Sequence, residues 1–339
     1  MTLPYLSILL PVKNEEKNIQ SCLLQMAHQT YPKDKMEILV LDANSQDKTR
    51  SLIKMFCEQH KELNIKILDD VVGQRSAGLN KGIKQSMGEV IVRIDARSLI
   101  SNDYIEKCVS TLLEKNADNV GGVQRPVEGD QLNSVQCAIA LAMSHPFGVG
   151  NAQFRVGKKS GEVDSVYLGC FKREIFNKVG LFDDESPIIT EDSDINYRIR
   201  RSGGKVYLDK DINVYYVPRE RLRDLAKLYF RYGGARAGFL LKWKALTGIR
   251  QLAPPLLLMA LVLLPLFFLF SPVFFYLWIF LCLSYITIDI GISLGVALKN
   301  KRWNTFPYLI LVFPIMHFSW ASGFWKRLIQ RKLNVYWGY

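Results

Sequence analysis

Two rhythms of apolar residues divide this 339-residue chain. Up to residue 127, short continuous apolar blocks alternate with stretches of helical spacing. The blocks predict strands near 5–12, 37–42, 65–69, 90–95 and 120–127. The stretches between them predict helices near 18–29, 47–60, 75–86 and 102–115. Continuous β-branched and leucine-rich strands suit a parallel sheet covered on both faces. Asn102-Asp103 is a helix-start signal, with Glu106 in the first turn. The alternation as a whole predicts a doubly wound, mostly parallel, Rossmann-like α/β domain.

From about 131 to 160 the pattern weakens. A helical stretch, Val135 to Met143, precedes a loop from Gly148 to Gly161 that has the composition of a mobile cover over a ligand. VDSVYLGCFKREIF then reads as a strand turning into a helix. A loop follows Asp183, then a helix from about Asp192 to Arg201. Two short strands, 205–209 and 213–217, complete a domain spanning 1–218.

The second rhythm belongs to the C-terminal third. Residues 219–250 predict one or two amphipathic helices with Arg and Lys set among Leu, Tyr, Phe and Trp, a pattern that suits the lipid headgroup plane. Residues 251–339 hold three apolar runs, Leu252–Phe270, Val273–Leu298 and Thr305–Trp325. Each approaches the roughly 20 residues that span a bilayer core. Basic clusters at Lys299–Arg302 and Lys326–Lys332 prefer the cytoplasm. Applied strictly, that rule makes a hairpin of the first two runs and has the third dip in and return, with a break at Pro314; three full crossings are the alternative. Asp289, inside the second run, is expected to face other helices or the inner interface.

Charge sharpens this division. Residues 1–218 carry 28 Lys+Arg against 29 Asp+Glu, whereas residues 219–339 carry 16 against 3. Positive charge flanking apolar runs points to membrane lipids as partner and away from nucleic acid. Six cysteines form no CxxC and no His-bearing metal spacing, so buried thiols facing a reducing compartment are expected. The N-terminal apolar segment is short and lacks a basic lead, which predicts a first strand and not a signal peptide. No feature sets the oligomeric state.

Candidate chemistry sits where apolar segments stop. Glu15, Asp42 and Asp95 follow three of the strands, and Glu191-Asp192 opens a later helix. In an open parallel sheet the carboxyl ends of the strands line the ligand crevice, so these acids are expected to converge. Each has an ordinary alternative. Asp42 and Asp95 suit Asx turns, and Asp192 suits a helix N-cap. Asp183, Asp184 and Asp194 read as solvated, as do Arg200 and Arg201.

LSILLPVKNEEKNI followed by ILVLDANSQDKT resembles the opening of the family 2 (GT-A fold) glycosyltransferases. GQRSAGLNKGIKQSMGEVIVRIDARS is similar to that family's stretch from nucleotide loop to metal motif, and GLFDDESPIITEDSDINYRIRRSGGKVY to its acceptor-side motif. The resemblance covers residues 5–220. The tail, with HFSWASGFW, resembles the succinoglycan-type branch that makes bacterial exopolysaccharides. This implies a GT-A-like catalytic domain in the inner membrane, facing the cytoplasm, that inverts a hexose carried by a nucleotide-diphosphate sugar, with UDP expected. Pro11, Lys13 and Glu15 would line the nucleotide pocket. Asp42 would accept a hydrogen bond from the base, and Asn44 and Ser45 would shape the same turn. Arg75 and Asn80 would lie near the diphosphate.

Asp95 matches the first acid of the metal motif and would bind a divalent ion, Mg²⁺ or Mn²⁺. The usual second acid is replaced by Arg97, which is expected to meet phosphate directly. Asp192 would be the general base, with Glu191 orienting the acceptor. A soluble site continuing into a basic interfacial region and apolar runs suits a membrane-held, polyprenyl-diphosphate-linked saccharide acceptor in polysaccharide assembly. The Gln-x-x-Arg-Trp motif of processive polysaccharide synthases is absent from FRYGGARAG, which argues against a long-chain polymerase. Two alternatives remain: transfer to a polyprenyl phosphate, and a nucleotide-sensing membrane scaffold.

Overall fold

The computed structural model describes residues 3–69, 75–127, 132–184, 191–245 and 249–332. The loop expected after Asp183 lies largely outside the described residues. The chain divides into two units. One comprises the described parts of Met1–Arg125, Gln153–Pro187 and Glu191–Tyr216; the other, those of Pro126–Ala152 and Val217–Tyr339.

The first unit is built on strands β1 (Leu6–Val12), β2 (Met36–Asp42), β3 (Asn64–Asp69), β4 (Val90–Arg93), β5 (Leu99–Ile100), β6 (Asn119–Pro126), β7 (Gly161–Glu162), β8 (Tyr167–Lys172) and β9 (Val206–Tyr216). They form one sheet in the order β3-β2-β1-β4-β8-β6-β9-β5, with β7 on β9. β3, β2, β1 and β4 run parallel, as the buried apolar blocks required. Beyond β4 the sheet is antiparallel: β8 pairs with β4 and β6, and β9 with β5 and β7. The sheet is therefore mixed. Helices α1 (Ile19–Ala27), α2 (Thr49–Gln59), α3 (Arg75–Gln85) and α4 (Tyr104–Glu114) fall between the early strands.

Strand alternation splits the core into two layers. Ile8, Leu10, Ile38, Val40 and Val92 pack on one side, and Leu9, Leu39, Leu41 and Ile91 on the other. Each fully buried aliphatic side chain contributes roughly 1.5–3 kcal/mol, so both faces resist exposure. Register then decides where the strands end together. Val12 lies beside Asp42, and Asp42 beside Asp69, while Leu9 lies beside Arg93. β1, β2, β3 and β4 thus end toward one edge of the sheet.

Two expectations need correction here. The two short strands at 205–209 and 213–217 are one strand, β9, which runs through Lys210-Asp211. That dipeptide reads as a turn, but Asp209 accepts from Thr111 Oγ1 at 2.8 Å and the Lys210 N–H donates to Ser160 Oγ at 3.0 Å. The loop from Gly148 to Gly161 also holds structure: after α5 (Ser134–Met143) come α6 (Pro146–Val149), α7 (Gln153–Val156) and β7.

In the second unit α5 starts from a capping box, with the Gln136 N–H on Asn133 Oδ1 at 2.9 Å and the Asn133 N–H on Gln136 Oε1 at 3.1 Å. After α8 (Glu174–Val179) and α9 (Glu191–Arg201) of the first unit, the chain forms α10 (Leu222–Trp243), α11 (Ala253–Leu263), α12 (Pro272–Lys299) and α13 (Phe306–Lys332). α5 and α6 pack on α13, with Phe147 edge-on to Phe313 and His317, and in the turn before α13 Asn304 donates to Ser134 Oγ at 3.0 Å. In the basic segment after residue 219, Leu222–Trp243 forms a single helix, α10.

Among the described residues, three helices are long and apolar enough to cross a membrane: Arg250–Phe267, Pro272–Lys299 and Trp303–Gln330. Large apolar side chains on them stand open, as with Leu266 at 64% and Phe280 at 66% exposure, the pattern of a surface made for lipid. A break at Pro314 does not form; α13 is one helix of 27 residues. Proline removes one N–H, a loss that membrane helices tolerate where neighbours re-satisfy the backbone. Trp278 shows the compensation at Pro265: its indole N–H donates at 3.0 Å to the Leu261 carbonyl, the acceptor that proline at position 265 cannot serve. Asp289 is 3% exposed, facing protein as expected. His317 donates through Nε2 to the Phe147 carbonyl at 2.6 Å, so its Nδ1 accepts from the Tyr285 hydroxyl at 2.9 Å.

α10 and α13 cross at two glycines. A Cβ on Gly233 would collide with the Trp320 carbonyl oxygen, and one on Gly323 with that of Phe230. Gly233→Ala gains up to about 1 kcal/mol of helix propensity, against overpacking that costs about 1–3 kcal/mol. The variant is expected to melt below the parent in detergent. An unchanged or raised melting temperature would contradict this crossing.

Candidate active site

Arg93 ends β4 in the middle of the sheet, and its side chain is 2% exposed. A guanidinium so deeply desolvated persists only when paired. Three carboxylates pair it. Its Nε and Nη2 donate to Asp95 Oδ1 at 3.3 and 3.2 Å. Nη2 also lies 3.1 Å from Glu191 Oε1, and Nη1 donates to Asp192 Oδ1. Arg75, at the start of α3, adds a second cation 3.4 Å from Glu191 Oε1 and 3.9 Å from Asp95 Oδ2. The Tyr167 hydroxyl, on β8, reaches Asp95 Oδ2 at 3.4 Å.

Local structure explains these positions. Asp95 lies just past the last residue of β4, where the chain turns and the Ser98 N–H returns to the Asp95 carbonyl at 2.9 Å. Glu191 and Asp192 open α9, where backbone N–H groups and the helix dipole favour negative charge. The electrostatics divide the acids. Asp95 is held below the usual carboxylate range: burial pushes it up, but Arg93 and Arg75 outweigh burial. Asp192 is raised to about 7, chiefly by burial; Arg93 opposes this, and the charges of Glu191 and Asp95 add to it. A carboxyl poised there can take a proton near neutral pH.

A second group of residues stands at the ends of β1 and β2. Asp42 is fully buried. Its Oδ1 accepts from the Ser45 hydroxyl at 2.6 Å and the Ser45 N–H at 3.2 Å, and its Oδ2 accepts from Arg50 Nη1 at 2.8 Å. Arg50 also pairs with Asp69. Asn14 and Asn44 both have positive φ, at 53° and 56°, a conformation Asn tolerates. Asn14 ties the two loops together: its N–H donates to Ser45 Oγ at 2.9 Å, and its Oδ1 accepts from the Gln46 N–H at 2.8 Å. Glu15 accepts from Arg97 Nε at 2.8 and 3.0 Å and from Asn18 Nδ2 at 2.7 Å. Arg97 is 61% exposed, Lys13 is exposed and Pro11 is half-buried in β1.

Of the residues singled out in the sequence, Arg75, Asp95, Glu191 and Asp192 thus form one connected cluster. Glu15 with Arg97, and Asp42 with Ser45, form two neighbouring pairs beyond the same strand edge. Asn80 is engaged elsewhere. Its Nδ2 donates to the Phe182 carbonyl at 2.8 Å and to Asp184 at 3.1 Å, and its Oδ1 accepts from the Phe182 N–H at 2.9 Å. Asp194 is not solvated as expected: it is 3% exposed and bonded to Arg198 Nε at 2.9 Å. Its i,i+4 partner lies on the same helix, and Arg198 in turn holds the Leu181 carbonyl at 2.7 Å. Arg93, Tyr167 and Arg50 were missed. Only Arg93 gave a signal, as the one charge within the apolar run VIVRI that precedes Asp95.

Among the described residues, no three His, Cys, Asp or Glu side chains are grouped to hold a metal by themselves. Asp95 offers one carboxylate, and one or two carboxylates completed by substrate phosphates are what Mg²⁺ accepts.

Known proteins bear on this geometry at three levels. The model of "Glycosyl transferase family 2" matches residues 7–180. The chain is 26% identical over 334 residues to the succinoglycan biosynthesis protein ExoA of Rhizobium meliloti (strain 1021), covering 97% of this chain and 96% of that protein. It is 27% identical over 328 residues to a Methanococcus voltae protein named dolichyl N-acetyl-alpha-D-glucosaminyl phosphate 3-beta-D-2,3-diacetamido-2,3-dideoxy-beta-D-glucuronosyltransferase, covering 96% and 98%. In fold it is similar to the mannosyltransferase PcManGT from Pyrobaculum calidifontis, solved with GDP-Man and Mn²⁺ (TM-score 0.63, 18% identity, 96% of this chain and 88% of that one). The family model spans just over half of the residues, including the strand ends that carry Asp42 and Asp95. This chain belongs to glycosyl transferase family 2.

Proposed function

We propose that the protein inverts a hexose from a nucleotide-diphosphate sugar onto a lipid-linked saccharide at the cytoplasmic face of the inner membrane. The observation that carries this reading is the cluster on Arg93, where an ionised acid on one chain segment meets a proton-accepting acid on another. Asp192 takes the proton of the acceptor hydroxyl as it attacks the anomeric carbon. Glu191 orients that hydroxyl. Displacement in one step requires base and leaving group on opposite faces of the sugar ring. Asp95 and Arg75 serve the leaving diphosphate, and the exposed Arg97 adds a cation to the same side.

Asp42, fully buried against Ser45 and Arg50, fixes the turn at the end of β2 against which the base would lie. Pro11, Lys13, Glu15 and Asn44 surround the same strand ends. The donor in this reading is a UDP-sugar. The Methanococcus voltae relative is named for a dolichyl-phosphate saccharide acceptor, which supports a lipid-linked saccharide here. The three apolar helices support membrane attachment.

Asp192→Asn is expected to lower turnover by about 10²- to 10⁴-fold, the usual contribution of a positioned base, with donor binding retained. In the parent enzyme, transfer should fall as pH drops through about 7, because protonation removes the base. Normal turnover in the variant, or a parent pH profile flat through that value, would refute the assignment.

Charge also bears on the cofactor. Asp95, Glu191 and Asp192, when ionised, outnumber Arg75 and Arg93 by one charge, in a site that must receive an anionic diphosphate. A divalent ion on Asp95 reverses that sign and would stabilise the diphosphate as it leaves. Chelation with EDTA is therefore expected to suppress transfer, and Mn²⁺ or Mg²⁺ to restore it. Full turnover in EDTA would show that the guanidinium groups suffice.

A further inference from the structure

Arg93 does work that the reaction described above leaves unassigned. It is 1% exposed, in register with Leu9 at the sheet centre, so it reaches no bulk substrate. Its donors are divided among three acids from two chain segments: Asp95 two residues on, and Glu191 and Asp192 some hundred residues on. A guanidinium is a rigid planar fork with five N–H donors, so partners bound to it are fixed in mutual angle as well as distance. An ammonium is a point charge on a flexible stem and cannot reproduce that plane. The remaining contacts to these acids are looser, with Arg75 at 3.4 and 3.9 Å and Tyr167 at 3.4 Å. Arg75 is also 55% exposed.

We propose that Arg93 is a positioning residue that sets the spacing between the donor-side carboxylate Asp95 and the acceptor-side pair Glu191-Asp192. This rests on the roles given to those acids above. A sugar held by one side is thereby presented at the right distance to the other. Arg93 touches neither reactant and acts through the acids it binds. A merely structural ion network would make a different demand: folding would need the charge, but turnover in the folded protein would not need the fork.

Arg93→Lys and Arg93→Ala, purified in detergent, separate these cases. Arg93→Lys is expected to keep a cooperative melt and a donor KM near that of the parent while kcat falls about 100-fold, the scale of a misplacement near 1 Å. Arg93→Ala should regain kcat with added guanidinium and not with ammonium at equal concentration. The proposal is overturned by parental kcat in Arg93→Lys, by rescue with either cation alike, or by loss of folding in both variants, which would make the residue structural. Asp192→Asn isolates the underlying reading. If that variant is active, the base assignment fails; if it is inactive while Arg93→Lys is fully active, only the role of Arg93 fails.

Discussion

A desolvated guanidinium at the end of a central strand must be neutralised, and in this protein three carboxylates do it. Arg93 cannot be left alone in the sheet interior, where an uncompensated charge costs several kcal/mol. The chain answers by turning sharply after β4 to place Asp95, and by starting α9 at the same point with Glu191 and Asp192. Because two guanidinium groups face three acids, the acids do not titrate alike. Asp95 stays ionised, and Asp192 moves toward neutrality. The asymmetry a displacement reaction needs is thus a consequence of charge and burial.

The parallel half of the sheet makes this meeting possible. With β1, β2, β3 and β4 in register, the strands end toward one edge, and residues far apart in sequence gather there. The second unit obeys a different constraint. Its helices expose apolar side chains, and His317 is held between the Tyr285 hydroxyl and the Phe147 carbonyl. Close approach at Gly233 and Gly323 brings α10, the most basic segment, against α13.

Much of this could be read from the sequence where the cause is local. Asp42 and Asp95 stood out because apolar strands stop beside them, and β1, β2 and β4 because they are buried on both faces. What escaped depends on distant partners. Arg93 looks like a flaw in an apolar strand until Asp192, 99 residues away, is brought to it. Asn80 looks like a helix residue near a phosphate until its amide meets Phe182. Asp194 reads as solvated because nothing nearby in sequence reports its burial. β9 reads as two strands because Lys210-Asp211 has turn composition, and only Ser160 and Thr111 reveal why the strand continues. α5 is apolar where it packs against α13, far downstream in the chain.

The most direct test is an experimental structure with a non-hydrolysable nucleotide sugar bound. The account predicts the diphosphate against Arg75 and Asp95, with the Asp192 carboxylate across the sugar ring from it. A donor seated away from the Arg93 cluster, or Asp192 on the same face as the diphosphate, would contradict it.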